Sequence, residues 1–339
     1  MARERQDRED DEPEHFWRDL AKDAIIAGAI VALFLGGLYV YSGVWPPLVV
    51  VESSSMSHSD AESKLGVIDT GDMVFQQTVS GRAAVVTYIE GRVTGYATYG
   101  DYGDVIIFRR ATSATPIIHR AIMYIELHPD GTANVPDLLS LPFGEWSARN
   151  RTASTRVPEN LTSVTIHHMG FEQNINMTFS FGGFGLTQRS GFVTMGDHNS
   201  WSECQGTVSD CRVGYDSIGT IPRLQDIQGR ARGELPWIGL IKLTLQPTDT
   251  CCPRGWGTSG PDGAPKNSWD NLLVTLVFLA ALPFILEYAS RGWTRFVSPR
   301  LPEIRWPWGR SRAAKPGPEF LDDPAEDDGM PPRGGLSGP

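Results

Sequence analysis

A mainly β domain of coiled sheets, held outside a membrane by an N-terminal and a C-terminal transmembrane helix, is the fold predicted for this 339-residue chain. Three observations predict it. The uncharged apolar run Ala24–Val44 matches the ~20 residues that a bilayer-spanning helix requires. A second apolar run, Asn271–Leu286, lies near the other end. Between them, short β-rich stretches alternate with clusters of Gly, Pro, Asn and Asp, and no amphipathic helix of three turns interrupts them. The resulting division is a cytoplasmic tail over 1–23, a first span over 24–44, an external domain over 45–268, a second span over 269–288 and a cytoplasmic, largely disordered tail over 289–339.

The tail before the first run is mixed and acidic (REDDEPEHFWRDLAKD), and no clean small-residue cleavage site follows the run, so it reads as a retained anchor rather than a cleaved signal. The stretches MVFQQTV, AAVVTYI, DVIIFRR, PIIHRAIMYIEL, SVTIHHM, INMTFSF and GFVTMG read as strands, with Asp130–Arg156 and Trp201–Gly214 as insertions or loops. The sixteen apolar residues of the second run cover roughly 24 Å, so spanning calls for Trp269, Tyr288 and Trp293 at the interface; a buried or interfacial helix is the competing reading. Pro283 kinks such a helix without excluding it. Arg291, Arg295, Arg300, Arg305, Arg310 and Arg312 follow closely, and the positive-inside rule assigns that end to the cytoplasm. Two spans then put both termini in the cytoplasm and 45–268 outside. The final segment, Arg312–Pro339, is rich in Pro, Gly, Asp and Glu and reads as disordered.

A formal charge of −10, with positive residues that are nearly all Arg, disfavours a nucleic-acid partner and suits an acidic surface soluble at high salt. The lipid bilayer is the partner that the apolar runs imply. All four cysteines, Cys204, Cys211, Cys251 and Cys252, fall in the outer region, an even number that permits disulfides there, with their pairing open. Asn150, Asn160 and Asn176 begin glycosylation sequons. No CxxC or paired histidines with ligand spacing indicate a metal, and His167 and His168, as strand neighbours, are expected on opposite faces.

The candidate chemistry begins at Ser55 in ESSSMSHS, about ten residues beyond the first run. A serine hydroxyl is a poor nucleophile until a neighbouring base takes its proton. His119, in PIIHRAI, is the best candidate, because an imidazole titrates near neutral pH. A carboxylate on its second ring nitrogen would fix the tautomer, and Asp216 in GYDSIG and Asp197 in VTMGDHNS are the candidates. His58, His128, His167 and His198 read as surface or loop residues. The bland alternatives are a serine-rich loop at Ser55, a satisfied core histidine at His119 and a turn cap at Asp197.

The ordered blocks SSSM, TGDMVF, YGDVIIF, PIIHRAI, FVTMGDHN, YDSIG and IQGRARGELPWIGLI resemble the signature boxes of type I signal peptidases, in the archaeal and endoplasmic-reticulum branch that uses a histidine base. The resemblance runs to about Leu243. It implies Ser55 as the acylated nucleophile, His119 as general base, and an oxyanion hole from the Ser53 hydroxyl and the Ser55 backbone N–H. It implies Asp197 in the family's Gly-Asp box and Asp216 as the orienter of the histidine, with Asp210 and Glu203 as rivals after an insertion. Ser54 replaces the family's Gly, His58 its Pro, and Ser57–Asp69 is longer than in compact members. The implied activity is a membrane-bound serine endopeptidase that removes signal peptides from exported preproteins at the outer face of the cytoplasmic membrane, with no cofactor. The implied partners are those signal peptides and the protein-export machinery. The alternatives are a specialised protease of the same fold acting on surface or pilin-like substrates, and a catalytically silent, membrane-anchored binding protein.

Overall fold

The computed structural model describes residues 12–110, 115–184, 188–204, 211–213, 221–260 and 263–292. The chain up to Ala280 makes one compact unit; the rest, of which the helical residues 281–292 are described, makes a second. Helix α1 (Glu12–Ser42) runs 31 residues, and its segment Phe16–Ser42 is long and apolar enough to cross a membrane, with a mean hydropathy of 2.2. It ends on the sheet: the Ser42 hydroxyl donates to the carbonyl of Gln76 at 2.7 Å, and the Thr78 N–H donates to the carbonyl of Ser42 at 2.8 Å.

The first sheet carries the order β1 (Leu48–Val50), β2 (Met73–Gln77), β14 (Ile227–Leu235), β5 (Val105–Phe108), β6 (Ile117–Leu127), β12 (Arg189–Met195), with β7 (Ala133–Asn134) added beside the end of β6. Every pairing in it is antiparallel. The second sheet has the order β13 (Cys211–Val213), β11 (Ile175–Ser180), β10 (Ser163–Met169), β8 (Trp146–Arg149), β9 (Ser154–Thr155), antiparallel except for β11 with β13. The largest apolar cluster gathers Met123 and Ile125 of β6, Val164 and Ile166 of β10, and Met177 and Phe179 of β11, all with essentially no exposure. A short hairpin, β3 (Ala97–Thr98) with β4 (Asp101–Tyr102), turns through Tyr99 and Gly100, both at positive φ (52° and 82°) as a tight two-residue hairpin turn demands.

Among the described residues the chain is mixed α and β rather than mainly β. The sheets are there, but α1 and the last helix, α5 (Lys266–Gly292), hold 31 and 27 residues. The domain's own helices are short: α2 (Tyr88–Thr94), α3 (Asp197–Cys204) and α4 (Gly239–Leu245). Four details depart from the sequence expectation. AAVVTYI is no strand: Thr87 and Glu90 form a capping box that starts α2. The stretch 130–156 is not merely loop, since it contributes β7, β8 and β9, and 201–214 contributes part of α3 and β13. At His168 the backbone reaches φ 54° where β10 bulges, which breaks the alternation expected of His167 and His168.

The fourth departure concerns the second apolar run. Its helix extends through the flanking polar residues, so Lys266–Arg291 passes the same membrane-spanning criterion at mean hydropathy 2.2, and its 26 residues reach about 39 Å. Trp269 is no interfacial anchor; it is buried against Leu240, Leu243, Cys251, Cys252 and Leu272. The cysteines pair as Cys204–Cys211 and as the sequence neighbours Cys251–Cys252.

Candidate active site

Ser55 lies on the loop that leads from β1 toward β2, and this loop is held in place. Three contacts hold it. Met56, 1% exposed, is sunk among Val51, Ile68, Val74, Val105, Ile107 and Ala231. The carbonyl of Ser55 accepts the His198 N–H at 3.0 Å. Gly196, just after β12, packs so closely that a Cβ placed on it would stand 2.2 Å from that same carbonyl oxygen. The Ser53 hydroxyl lies 3.4 Å from the Ser55 hydroxyl.

His119 sits on β6, paired in register with Ile106. It lines, together with Ser53, Ser55 and Met56, a groove of about 500 Å³ that Val49–Glu52 and Thr115–Ile118 also line. Burial pushes its pKa down to about 4, against the pull of Asp197 and aided by Arg110, so the ring is neutral at pH 7. Among the described residues its Nδ1 is buried without a hydrogen-bond partner, and no hydrogen bond joins the ring to Ser55. Lys242, which donates to Glu52 at 2.5 Å, and Asn199 also line the groove.

The next residue of β6 faces differently, as strand alternation requires. Arg120 pairs in register with Met195, which brings it beside the residues that follow β12. Its guanidinium grips Asp197 bidentately, Nε to Oδ1 at 2.8 Å and Nη2 to Oδ2 at 2.6 Å. Its Nη1 meets the carbonyls of Thr98, Asp101, Tyr102 and Gly103 at 3.0 to 3.2 Å. His58 adds a bond from Nε2 to Asp197 Oδ2 at 3.0 Å, and its ring stacks on Phe171 with centroids 4.0 Å apart. Burial alone would raise the Asp197 pKa, but the charge and hydrogen bonds of Arg120, with help from His58, hold it below the usual carboxylate range. Burial raises Asp101, nearby, to about 6 against the opposing charge of Arg120.

The predicted residues therefore separate into two groups. Ser53, Ser55 and His119 share the groove. Asp197, one of the two candidates for orienting His119, is bonded to Arg120 and His58: β12 ends with Met195 opposite Arg120, and Asp197 follows two residues later, within reach of that guanidinium. Asp216 and Asp210 lie outside the described residues, and of Glu203 only its place on α3 is described. His58, read from sequence as a surface or loop residue, has a side chain only 9% exposed. Gly100 makes room for it, since a Cβ there would stand 2.8 Å from the His58 ring. Its one signal in the sequence was its place where the resembled family has Pro. No group of acidic, histidine or cysteine side chains able to hold a metal occurs among the described residues.

Neither a protein-family model nor a curated protein matches the chain. The functional reading therefore rests on the groove and its chemistry.

Proposed function

We propose that this chain is a membrane-anchored serine endopeptidase that cleaves signal peptides from exported preproteins through an acyl-Ser55 intermediate. The observation that carries the reading is the single groove in which Ser55, Ser53 and His119 meet beside the short edge strand β1. An edge strand offers unpaired backbone groups, so a peptide bound extended along Val49–Val51 would present its carbonyl to Ser55.

His119, neutral because burial disfavours its charged form, takes the Ser55 proton as the hydroxyl oxygen attacks that carbonyl. The Ser53 hydroxyl and the Ser55 N–H then hydrogen-bond the developing oxyanion. Protonated His119 gives its proton to the leaving amine, and a water activated by the same ring releases the acyl group. Asp216 takes the role of orienting His119 through Nδ1, which is buried and lacks a partner among the described residues. The two apolar helices support an anchor in the membrane that holds the apolar part of the substrate, which reduces the search for the scissile bond. In this reading the arginine-bearing C-terminal end faces the cytoplasm and the sheets face outward.

His58 and Asp197 make a second histidine–carboxylate pair near Ser55, but His58 does not line the groove. The test is therefore cleavage of a model preprotein in detergent by wild type, Ser55→Ala, His119→Ala and His58→Ala, with mass spectrometry fixing the cut. Cleavage after a small residue that vanishes in Ser55→Ala and His119→Ala, and survives in reduced form in His58→Ala, supports the proposal. Loss in His58→Ala with retention in His119→Ala would transfer the base role to His58. Folded wild type that cuts none of several preproteins would leave a protease of other substrates or a binding protein.

A further inference from the structure

The three Asn-x-Thr sequons all belong to the second sheet and the segments that lead into it, and the fold treats them differently. Asn150 starts the turn between β8 and β9, closed by its N–H donating to the Ala153 carbonyl at 3.0 Å. Its side-chain Oδ1 accepts three bonds: from the N–H of Thr152 at 3.0 Å, from the N–H of Ala153 at 2.8 Å and from the Thr152 hydroxyl at 2.9 Å. Arg151, Thr152 and Ala153 are exposed. The other two sequons are spent on the fold. The Thr162 hydroxyl that follows Asn160 donates to the Arg149 carbonyl at 3.1 Å. Asn176 lies inside β11, where its Oδ1 accepts the His168 N–H at 3.4 Å, and the hydroxyl of Thr178 pairs with that of Thr165 at 2.7 Å.

We propose that Asn150 is an N-glycosylation site and that Asn160 and Asn176 are not. The inference rests on the outward orientation argued above, because the sugar donor is presented on the outer side of the membrane. An amide nitrogen is a poor nucleophile, since its lone pair is delocalised onto oxygen. Three donors on Oδ1, one of them the hydroxyl of the sequon threonine, stabilise the form in which Nδ2 sheds a proton and holds a localised pair. The co-reactant is a polyprenyl-phosphate-linked sugar. Nδ2 bonds to the anomeric carbon, the bond from that carbon to the phosphate oxygen breaks with its electron pair leaving on the lipid phosphate, and the Nδ2 proton passes to a carboxylate of the transferase. None of Asn150, Arg151 or Thr152 lines the peptide groove, so the sugar leaves the groove open.

The test uses the full chain isolated from the membranes of the cells that naturally make it, with mass spectrometry of the peptides that hold each sequon. In parallel, a Ser154→Cys variant in intact cells is treated with a membrane-impermeant maleimide; all four native cysteines are in disulfides, and Ser154 is exposed. The expected result is a sugar mass on Asn150 that disappears in Asn150→Gln and Thr152→Ala and returns in Thr152→Ser, with Asn160 and Asn176 bare and the introduced thiol labelled. A labelled thiol with bare Asn150 overturns the glycosylation site while the orientation stands. An unlabelled thiol with bare Asn150 overturns the orientation and the site together. Sugar on Asn176 in the folded protein overturns the geometric selection.

Discussion

Of the glycines around Ser55, Gly196 leaves the least room for a side chain. A methyl group there meets the carbonyl of Ser55 at 2.2 Å, and that oxygen is backbone, so the loop itself must move. Gly196→Ala should cost about 1–3 kcal/mol of stability and lower cleavage more than peptide binding, a pattern that thermal melts alongside a kcat and KM split would reveal. Asp197→Ala leaves Arg120, 1% exposed, as a buried charge without its carboxylate, and should cost about 3–5 kcal/mol by denaturant unfolding. His119 supplies a pH dependence. Its pKa is about 4 in the fold against about 6.5 in the unfolded chain, so between those values the unfolded chain binds the extra proton. Stability is then lost as pH falls from about 6.5 toward 4, by roughly 3 kcal/mol at most. Asp72, raised to about 7 by burial, works in the opposite sense, so the measurement is the difference in melting temperature between wild type and His119→Asn across that range, which should shrink as pH falls. That Ser55 and His119 are candidates was legible because each stands in a short motif, and both line one groove in the fold. The Arg120–Asp197–His58 cluster was not, because it depends on which residues the β6–β12 register sets side by side.

Elements were readable where β-branched and apolar residues run on and unreadable where a local hydrogen bond outweighs the pattern. β6 and β12 carry long runs of β-branched and apolar residues and fold as the sequence indicates. AAVVTYI carries the same residue types, yet the Thr87 side chain accepts the Glu90 N–H and the Glu90 carboxylate accepts the Thr87 N–H, so a helix begins within it. Thr87→Ala removes that cap and the bond from its hydroxyl to Asp137, and should cost about 1–2 kcal/mol in chemical unfolding. β14 escaped notice because IQGRARGEL holds three charged residues and two glycines and looks like surface. In the fold its arginines are paired instead: Arg232 with Asp104 at 2.8 Å, and Arg230 with Gln77 at 3.0 Å. Gly233, at φ 108°, sits where the register slips against β2.

At the scale of the molecule, the two apolar helices were the most legible feature, since length and lack of charge suffice to mark them. Their full extents were not, because helix continues through polar flanks that hydropathy alone excludes. The full chain should stay in the membrane pellet through alkaline extraction; release into the supernatant would remove the anchor from the reading. The bond between Ser42 and Gln76 gives this anchor a further meaning. The last turn of α1 is tied to β2, and β2 to β1, so only the short loop after β1 separates the end of the apolar helix from Ser55. In the proposed function such a junction would work as a ruler, fixing the height above the lipid at which a bond is cut. Flexible residues inserted after Ser42 would blur that height, and a substrate with a longer apolar segment would then be cut at several positions instead of one.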